Sequence, residues 1–400
     1  MAGSYLFNMF TTLPLGLSGN AIRPCIIDDT IYYAGMNNGG ASSGVLKAIS
    51  VQKYNITTEK WTTLANPQFS ASAPASFQNT TTSSFPAGDS TTPIISLSYM
   101  PDTSKILCVA TNDSGYAILS EYTPAANTWG TWTSINGIST RLYGTYYYQG
   151  TASVYIFLSV GIYKYDVNTK VCSMISSWAV GHQTGMVGIG DQVYFVGGTG
   201  NSLGIENKGM IVYDITQNLL SVKAQYTTTS YRMPIVWAIG TDIYCTGSEN
   251  GTASVYAASG FIRKYDTLTN AWSTTTLPNL NCYNTGAVTY KGSAYIFGGS
   301  TTLSGAVPGV ANALTTCYKY SYFLEAPTNF VSSLSGNKVV LNWTDVSTEE
   351  TNYKIYRRAE NEVDYTVIAT LDPGTITYTD LTSDVSLHSY QYKLRAIQEA

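Results

Sequence analysis

The sequence of 400 residues is short of charge, since Lys, Arg, Asp and Glu make up only 12% of it and the formal net charge is −4. Without a basic excess, no electrostatic field attracts nucleic acid or an anionic membrane, so neither is expected as a partner. No run of about 18 apolar residues occurs, which argues against a membrane-spanning helix and membrane insertion. The first twenty residues lack a basic segment followed by a long apolar one, so they do not resemble a signal peptide.

Residues that catalyse or bind metals are also scarce. Only two histidines occur, His182 and His388, and because they fall in the two different domains inferred below, we do not expect them to meet in one site. No Gly-x-Ser-x-Gly, Walker or dinucleotide-binding signature is present, and Gly197–Gly200 follows a strand pattern without opening a helix. We therefore expect no catalytic residues, no metal and no cofactor, and a protein that is not an enzyme.

The six cysteines are scattered and form no Cys-x-x-Cys pair. Such spacing favours buried free thiols over a disulfide framework. They are Cys25, Cys108, Cys172, Cys245, Cys282 and Cys317.

Tyrosine is abundant, with 33 copies, and aromatic residues reach 13%. Tyrosine and threonine suit pleated surfaces, so the composition favours β-structure. The stretch Lys264–Ser300 holds the most complete copy of a recurring unit: a strand ending in Tyr265, a turn, a strand with Trp272, two further short strands, and Gly298-Gly299. Repetition of such a unit about every fifty residues predicts a propeller of four-stranded blades.

The tyrosine–turn–tryptophan element recurs as Tyr54–Trp61 and Tyr122–Trp129, with degraded copies at Tyr165–Val171 and Tyr213–Leu219. The glycine-ended strand recurs at Val193–Gly198. These copies resemble the kelch repeat family, and the resemblance implies a six-bladed kelch-like β-propeller over residues 1–324. A copper centre of the galactose-oxidase kind, which occurs on kelch propellers, would need more histidines than this region contains.

The sixth repeat stops early, because it lacks a strand with tryptophan. Phe10–Pro14 matches Trp61–Leu64 and Thr274–Pro278, so we expect the N-terminus to supply the missing outer strand and to close the ring. A cleaved leader within this sequence is then not expected. The strand order also predicts that the long loops share one face, where binding usually occurs: 36–47, 65–93, 199–207, 247–254 and 299–313.

After Glu325 the glycine pattern ends and charge density rises: residues 326–400 hold 6 Lys+Arg and 10 Asp+Glu. Leu341-x-Trp343, Tyr353–Arg357 and Tyr390–Ala396 resemble a fibronectin type III module, which implies an all-β sandwich over residues 325–400 with Tyr390 as its tyrosine-corner residue. The last strand of that module is missing here. Either the natural chain continues or a partner supplies the strand, and in both cases the open edge could dock another strand.

Donor side chains precede the channel-lining strand of several repeats. In kelch propellers, arginines at such positions can grip acidic groups of ligands, so the resemblance implies a channel-mouth site for a carboxylate or a sugar. The alternative is a structural role, in which these side chains satisfy loop carbonyls between blades. The candidate residues are Arg23, Arg141, His182, Arg232 and Tyr283.

The domain combination and the low charge resemble bacteriophage virion proteins of the tail or capsid. We expect a non-enzymatic adhesin or decoration protein located in the virion, with other virion proteins or further copies of itself as partners, and a host-surface glycan as a ligand. The alternative is a secreted or cell-surface carbohydrate-binding protein of a bacterium.

Overall fold

Short alternating segments separated by tight turns become β-strands throughout the computed structural model. It describes residues 4–13, 17–18, 22–37, 49–65, 95–111, 117–135, 142–178, 184–198, 209–225, 231–252, 255–257, 261–278, 280, 285–298, 315–323, 327–346, 350–360, 362 and 365–397. Within those ranges there is no α-helix, and hence no helix that could cross a membrane. Two 3-10 helices, Pro101–Thr103 and Gln149–Thr151, are the only helical turns there.

The described residues up to 323 contain 28 strands. The first fourteen are β1 (Ser4–Thr12), β2 (Leu17–Ser18), β3 (Ile22–Arg23), β4 (Cys25–Ile27), β5 (Thr30–Asn37), β6 (Ile49–Asn55), β7 (Lys60–Thr63), β8 (Ile95–Met100), β9 (Lys105–Thr111), β10 (Ala117–Thr123), β11 (Thr128–Trp129), β12 (Thr133–Ser134), β13 (Leu142–Tyr148) and β14 (Ser153–Leu158). The others are β15 (Gly161–Asp166), β16 (Cys172–Ser176), β17 (Gly185–Ile189), β18 (Gln192–Val196), β19 (Met210–Asp214), β20 (Leu219–Lys223), β21 (Tyr231–Ile239), β22 (Asp242–Thr252), β23 (Val255–Ala257), β24 (Phe261–Asp266), β25 (Ala271–Pro278), β26 (Ala287–Tyr290), β27 (Ser293–Phe297) and β28 (Thr316–Phe323).

These strands form sheets that each contain an antiparallel series of about four. In sequence order the series are β4-β5-β6-β7, β8-β9-β10-β11, β13-β14-β15-β16, β17-β18-β19-β20, β21-β22-β24-β25 and β26-β27-β28-β1. Strand β3 pairs in parallel with β8, so the segment β3–β4 links two sheets. The fold is thus all-β and compatible with a β-propeller.

The tyrosine–turn–tryptophan element joins the third and fourth strands of these sheets. Tyr54 pairs with Trp61, and Tyr265 pairs with Trp272, as the repeat predicts. The degraded copies differ from the prediction by one residue: Tyr165 pairs with Cys172 and Tyr213 pairs with Leu220. All these turns therefore have the same length. Val171 and Leu219, which were predicted to pair with the tyrosines, lie one position earlier and are exposed.

One residue in each of these turns, five positions after the tyrosine, has a left-handed backbone. In three turns it is an asparagine, which tolerates that conformation better than most residues. Asn127, Asn218 and Asn270 each have φ between 51° and 54°, and each accepts a hydrogen bond from its tyrosine hydroxyl. The other two turns place Glu59 (φ 56°) and Lys170 (φ 61°) there.

Two of these turns attach their sheet to the preceding one. Asn270 Oδ1 accepts the Ala224 N–H (2.9 Å), and Trp272 Nε1 donates to the Ala224 carbonyl (2.8 Å). In the same way, Ala65 donates its N–H to Asn127 Oδ1 and accepts a hydrogen bond from Trp129 Nε1 of the next sheet. Ala65 and Ala224 each follow an outer strand, and the N–H and the carbonyl of each are hydrogen-bonded by the next repeat along the chain.

The N-terminal strand takes part in this pattern. Strand β1 pairs with β28, and Leu13 N–H donates to Thr315 O, as Leu64 N–H donates to Val51 O in the first series. Trp61 Nε1 donates to Thr11 Oγ1 (3.2 Å) on β1. Leu13 lies in a buried cluster with side chains from the first and last series, among them Tyr33 and Phe297, whose rings are 5.5 Å apart.

None of the described cysteines forms a disulfide; Cys172 is partly exposed, and the others, Cys25, Cys108, Cys245 and Cys317, are buried as predicted. The predicted long loops lie mostly outside the described residues. Residues 247–252 are described, and their prediction as a loop is wrong. They continue strand β22, which pairs with the short strand β23 that follows it. Cys282 lies outside the described residues.

The chain forms two compact units, residues 8–290 with 294–319, and residues 320–400 with 1–7 and 291–293. The predicted boundary at residues 324/325 stays a prediction, because residues 324–326 are not among those described. The second unit contains β29 (Thr328–Ser335), β30 (Lys338–Thr344), β31 (Asn352–Ala359), β32 (Thr366–Leu371), β33 (Thr377–Asp380) and β34 (Tyr390–Ile397).

These six strands form two antiparallel sheets, β29-β30-β33 and β32-β31-β34. Their shared core contains Leu341 and Trp343 from one sheet and Tyr353 and Ile355 from the other, so the sheets pack face to face. Asp380 also links them, because its carboxylate accepts hydrogen bonds from Arg357 (2.8 Å) and Tyr392 (2.9 Å). Although burial opposes its ionisation, hydrogen bonds from Thr382, Arg357 and Tyr392 lower the pKa of Asp380.

Candidate functional site

A cavity of about 420 Å³ is enclosed by the first strands of the six series in the first unit. This size is typical of a small-molecule site. Six segments of three or four residues line the wall. The segments are 23–26, 97–99, 145–147, 186–188, 236–238 and 287–289.

Glycines let these strands approach closely. A methyl group placed on Gly185 would lie 2.5 Å from Pro234 O, so only glycine permits the contact between β17 and β21. A methyl group on Gly188 would lie 2.1 Å from Tyr146 Cε2, so the Tyr146 ring lies directly on that backbone. The wall is therefore built by strand packing as well as by side chains.

Hydroxyl groups fix one part of the wall. Thr145 Oγ1 lies 2.8 Å from Ser96 Oγ and 2.7 Å from Ser98 Oγ, and the Thr145 N–H donates to Ser96 Oγ. These groups are buried and join β8 to β13. Because they satisfy one another, they hold the wall in place and keep it neutral.

Arg23 supplies the charge of this cavity. It lies at the start of the wall strands, paired with Ser96 through the backbone, and a methyl group on Gly144 would lie 3.9 Å from Arg23 Cγ. Burial lowers the pKa of Arg23 to about 10, so the guanidinium remains charged at neutral pH. None of the described wall residues is a carboxylate. An anionic group that entered the cavity would therefore be attracted by this positive charge.

The opposite end of the wall carries tyrosines. Tyr146 donates its hydroxyl to Gly190 O (2.9 Å), and burial raises its pKa, with smaller contributions from Tyr148 and Asp191. Tyr147 donates to Asp102, and burial together with that hydrogen bond raises its pKa to about 12. Both phenols therefore stay protonated and act as donors, not as bases.

Of the five predicted site residues, the structure brings Arg23 to the cavity. The backbone of Arg232 lies in β21, but its side chain is outside what the structure describes. Arg141, His182 and Tyr283 also lie outside the described residues, so their convergence with Arg23 stays a prediction.

Two tryptophans of the first unit, whose rings could stack on a sugar only if they were exposed, are buried. Trp132 is 2% exposed and Trp237 is 1% exposed. Trp237 stacks on Tyr244, with centroids 5.8 Å apart and planes inclined by 12°. Trp178 is partly buried against the core between the third and fourth series, and the side chain of Tyr231 is not described.

Sequence reasoning missed the cavity contributions of Ser98, Thr145, Tyr146 and Met186. They lie within the first strands of their repeats, whereas the predicted site residues precede those strands. The usable signal was polarity: Thr145 and Tyr146 are polar residues inside a strand that otherwise follows the core pattern. No group of three or more His, Cys, Asp or Glu residues in the described ranges is arranged to hold a metal.

Comparison with known proteins gives a structural likeness only. No family model matches the sequence, and no curated protein matches it. The solved structure of YjhT is similar, with a TM-score of 0.52 and 13% identity, covering 82% of this chain and 98% of that one. A fungal alcohol oxidase of the AA5 family in complex with copper matches with a TM-score of 0.47 and 10% identity over the whole of both chains. At 13% identity, the likeness to YjhT shows the fold alone: an all-β fold compatible with a β-propeller.

Proposed function

We propose that the first unit is a six-bladed kelch-like propeller closed by its N-terminal strand. The support is the cyclic order of contacts, in which β1 pairs with β28 and Leu13 joins the first and last series in one buried cluster. We further propose that residues 325–400 form a fibronectin type III module. Its two three-stranded sheets and the hydrogen bond from the Asp384 N–H to Tyr390 Oη (3.3 Å) support that assignment.

On this scaffold the protein functions as a non-enzymatic binding protein. The observation that carries this proposal is the cavity wall, which offers one cation, Arg23, together with neutral hydroxyl groups and apolar surface. General acid–base catalysis needs a group whose pKa lies near the working pH. Arg23, Tyr146 and Tyr147 are all held in their protonated forms, so these three groups bind and orient.

The ligand class that suits this wall is a small carboxylate, such as the acid group of an acidic sugar. A guanidinium offers parallel donors that match a carboxylate, and the pairing is stronger where water is excluded. Tyr146 and Tyr147 would border the remainder of the ligand toward the other end of the wall. Neutral sugars lack the negative charge that the Arg23 guanidinium attracts.

A glycan array that pairs each carboxylate-bearing glycan with its neutral analogue tests this proposal on the full chain. We expect the acidic member of each pair to bind, and Arg23→Gln to abolish that binding. Lys60→Gln serves as the matched control. It removes an exposed cation of β7, a strand that contributes no residue to the wall, and this variant should bind normally. Equal binding of both members of the pairs, or turnover of a bound glycan, would refute the proposal.

We place the protein in a bacteriophage virion, as a tail or capsid-associated component, on the sequence resemblance and the low charge alone. Peptide mass analysis of purified particles tests this placement. The chain should be present in stoichiometric amounts with portal and tail proteins, whose genes should adjoin its own. Its recovery from a bacterial culture fluid or cell surface, without particles, would favour the alternative of a secreted carbohydrate-binding protein.

A further inference from the structure

We propose that Met186 is a specificity-determining residue of the cavity in the first unit and selects acidic ligands that carry a methyl group close to the carboxylate. The inference rests on the carboxylate site proposed above and adds a second point of recognition to it. The ligand class is a sugar acid with a methyl ether on the ring carbon adjacent to the one that bears the acid group.

The tip of Met186 lies beside Arg23. Met186 belongs to β17, but its side chain reaches across to β13, because a methyl group placed on Gly144 would lie 2.6 Å from Met186 Cε and 3.2 Å from its Sδ. The same point on Gly144 lies 3.9 Å from Arg23 Cγ, and the arginine side chain continues from Cγ through one further carbon to the guanidinium. A thioether and a cation, both of the cavity wall, therefore meet at one backbone position.

Packing between two strands holds Met186 in this place. Met186 of β17 lies on Gly144 of β13, and in return the ring of Tyr146 on β13 lies on Gly188 of β17. In both strands the glycine and the large side chain are two residues apart, so they share one side of the strand. A methionine side chain has three rotatable bonds, and its packing on Gly144 restricts them before a ligand arrives, which lowers the entropic cost of binding.

Met186 also keeps surface that a ligand can contact. Four other apolar residues of the wall are buried and have little surface toward the cavity: Leu97, Val236, Trp237 and Val288. Met186 is only partly buried against the core between the third and fourth series. Its polarizable thioether suits contact with an apolar group of irregular shape. Of these five apolar residues, Met186 is thus the one that can bury a methyl group of a ligand.

The two contacts together fit a methylated sugar acid. The Arg23 guanidinium attracts the carboxylate, and a methyl group that leaves water for the Met186 thioether gains the free energy of apolar burial. In a uronic acid with a methyl ether on the adjacent ring carbon, the two groups are neighbouring substituents, so one ligand reaches both side chains. The unmethylated acid makes only the first contact.

Isothermal titration calorimetry on the full-length chain tests this contact. The probes are glucuronic acid and 4-O-methylglucuronic acid, which differ by a single methyl group, and the neutral sugar 4-O-methylglucose. We expect the parent chain to bind the methylated acid about four- to tenfold more tightly than the unmethylated one, as burial of a methyl group predicts. The neutral sugar should not bind, because it lacks the carboxylate.

Met186→Gln keeps the length of the side chain and replaces the thioether by a polar amide. This variant should bind both acids with about the same affinity, at the level of the unmethylated acid in the parent chain. Met186→Leu keeps an apolar side chain of similar volume and should retain most of the preference. Met174→Gln is the matched control, because Met174 is 53% exposed on β16, a strand that contributes no residue to the wall, and it should bind like the parent.

Nuclear magnetic resonance of the parent chain, labelled with carbon-13 at its methionine methyl groups, gives a second readout that does not depend on how well a variant folds. The signal of Met186 is assigned by its loss in Met186→Leu. It should shift more on addition of 4-O-methylglucuronic acid than on addition of glucuronic acid, whereas the signal of Met174 should not move.

Two kinds of failure are distinguishable. Equal affinity of the parent chain for both acids, a preference that survives Met186→Gln, or a Met186 signal that responds equally to both acids would overturn this inference and leave the carboxylate site intact. Failure of the parent chain to bind either acid, or binding that Arg23→Gln does not weaken, would refute the proposed function and this inference with it.

Discussion

The outer hairpins of the first unit repeat the same chemistry, whereas the inner strands differ from one repeat to the next. Tyr265, Asn270 and Trp272 have counterparts at equal spacing in the second series, with the same hydrogen bonds. The inner strands place arginine, threonine, methionine or tryptophan at the cavity. Repetition therefore identifies the groups that build the fold, and departure from it identifies the groups available for binding.

Removal of residues 1–15 is the largest disruption of the repeated outer pattern. It deletes β1, exposes the edge of β28 and removes buried Leu13 from its cluster. Losing one such buried side chain alone costs about 2–5 kcal/mol. We expect a loss of soluble protein or a fall of more than about 10 °C in the melting temperature, measured by circular dichroism.

The matched control for this truncation is Trp61→Phe, which keeps β1 but removes the hydrogen bond to Thr11 Oγ1 and part of the ring packing against Tyr54, and should cost about 1–3 kcal/mol. A truncated chain that melts with the parent would show that β1 does not complete the last series.

Replacing Asn270 by alanine tests a single turn. The change removes the acceptor of Tyr265 Oη and of the Ala224 N–H and leaves a residue with a Cβ side chain but no stabilising polar group at φ 54°. We expect a loss of about 2–3 kcal/mol in the free energy of unfolding, from two hydrogen bonds and local strain. Urea denaturation measures it.

Asn168→Ala in the corresponding turn after β15 is the control. Asn168 is exposed and contributes only its backbone N–H, which donates to the Asp166 carboxylate. It should change the free energy of unfolding by less than about 0.5 kcal/mol. Equal losses for the two variants would mean that Asn270 has no special role between the sheets.

Glu59→Asn should raise the free energy of unfolding, by less than Asn270→Ala lowers it. Glu59 occupies the position of Asn127, Asn218 and Asn270 at φ 56°, where asparagine is better tolerated and could accept a hydrogen bond from Tyr54. We expect a gain of about 0.5–1 kcal/mol by urea denaturation. Glu59→Gln, which cannot make the same local contact, should give no gain; identical effects of the two variants would contradict the comparison.

The outer pattern was readable from the sequence because its signals are local. Tyrosine, turn and tryptophan lie within eight residues, and the match of Phe10–Pro14 to the outer strands predicted the pairing of β1 with the last series. The one-residue error at Tyr165 and Tyr213 arose where no tryptophan marks the register. There the turn geometry, which is the same in all copies, was a better guide than the hydrophobic residues Val171 and Leu219, which are 57% and 47% exposed.

The inner wall was much less readable, because residues from six distant segments meet there. Arg23 was recognisable by its place before a strand, but the burial of Thr145 and the position of Tyr146 on Gly188 depend on neighbouring sheets. The clustering of Lys354, Arg358, Lys393 and Arg395 on one sheet face of the second unit was equally hard to predict. An overall excess of acid gave no hint that the register of β31 and β34 collects four cations on one side.

Thermal unfolding of Arg23→Met tests most directly whether the inner wall serves binding or structure. Burial lowers the pKa of Arg23, which means that the charged side chain is less favourable in the folded protein than in the unfolded chain at neutral pH. If Arg23 is retained for a ligand, its replacement by an apolar side chain of similar length should leave the melting temperature unchanged or raise it, while binding of acidic glycans is lost. A fall of about 4 °C or more would contradict this account and show that Arg23 supports the loops between the sheets.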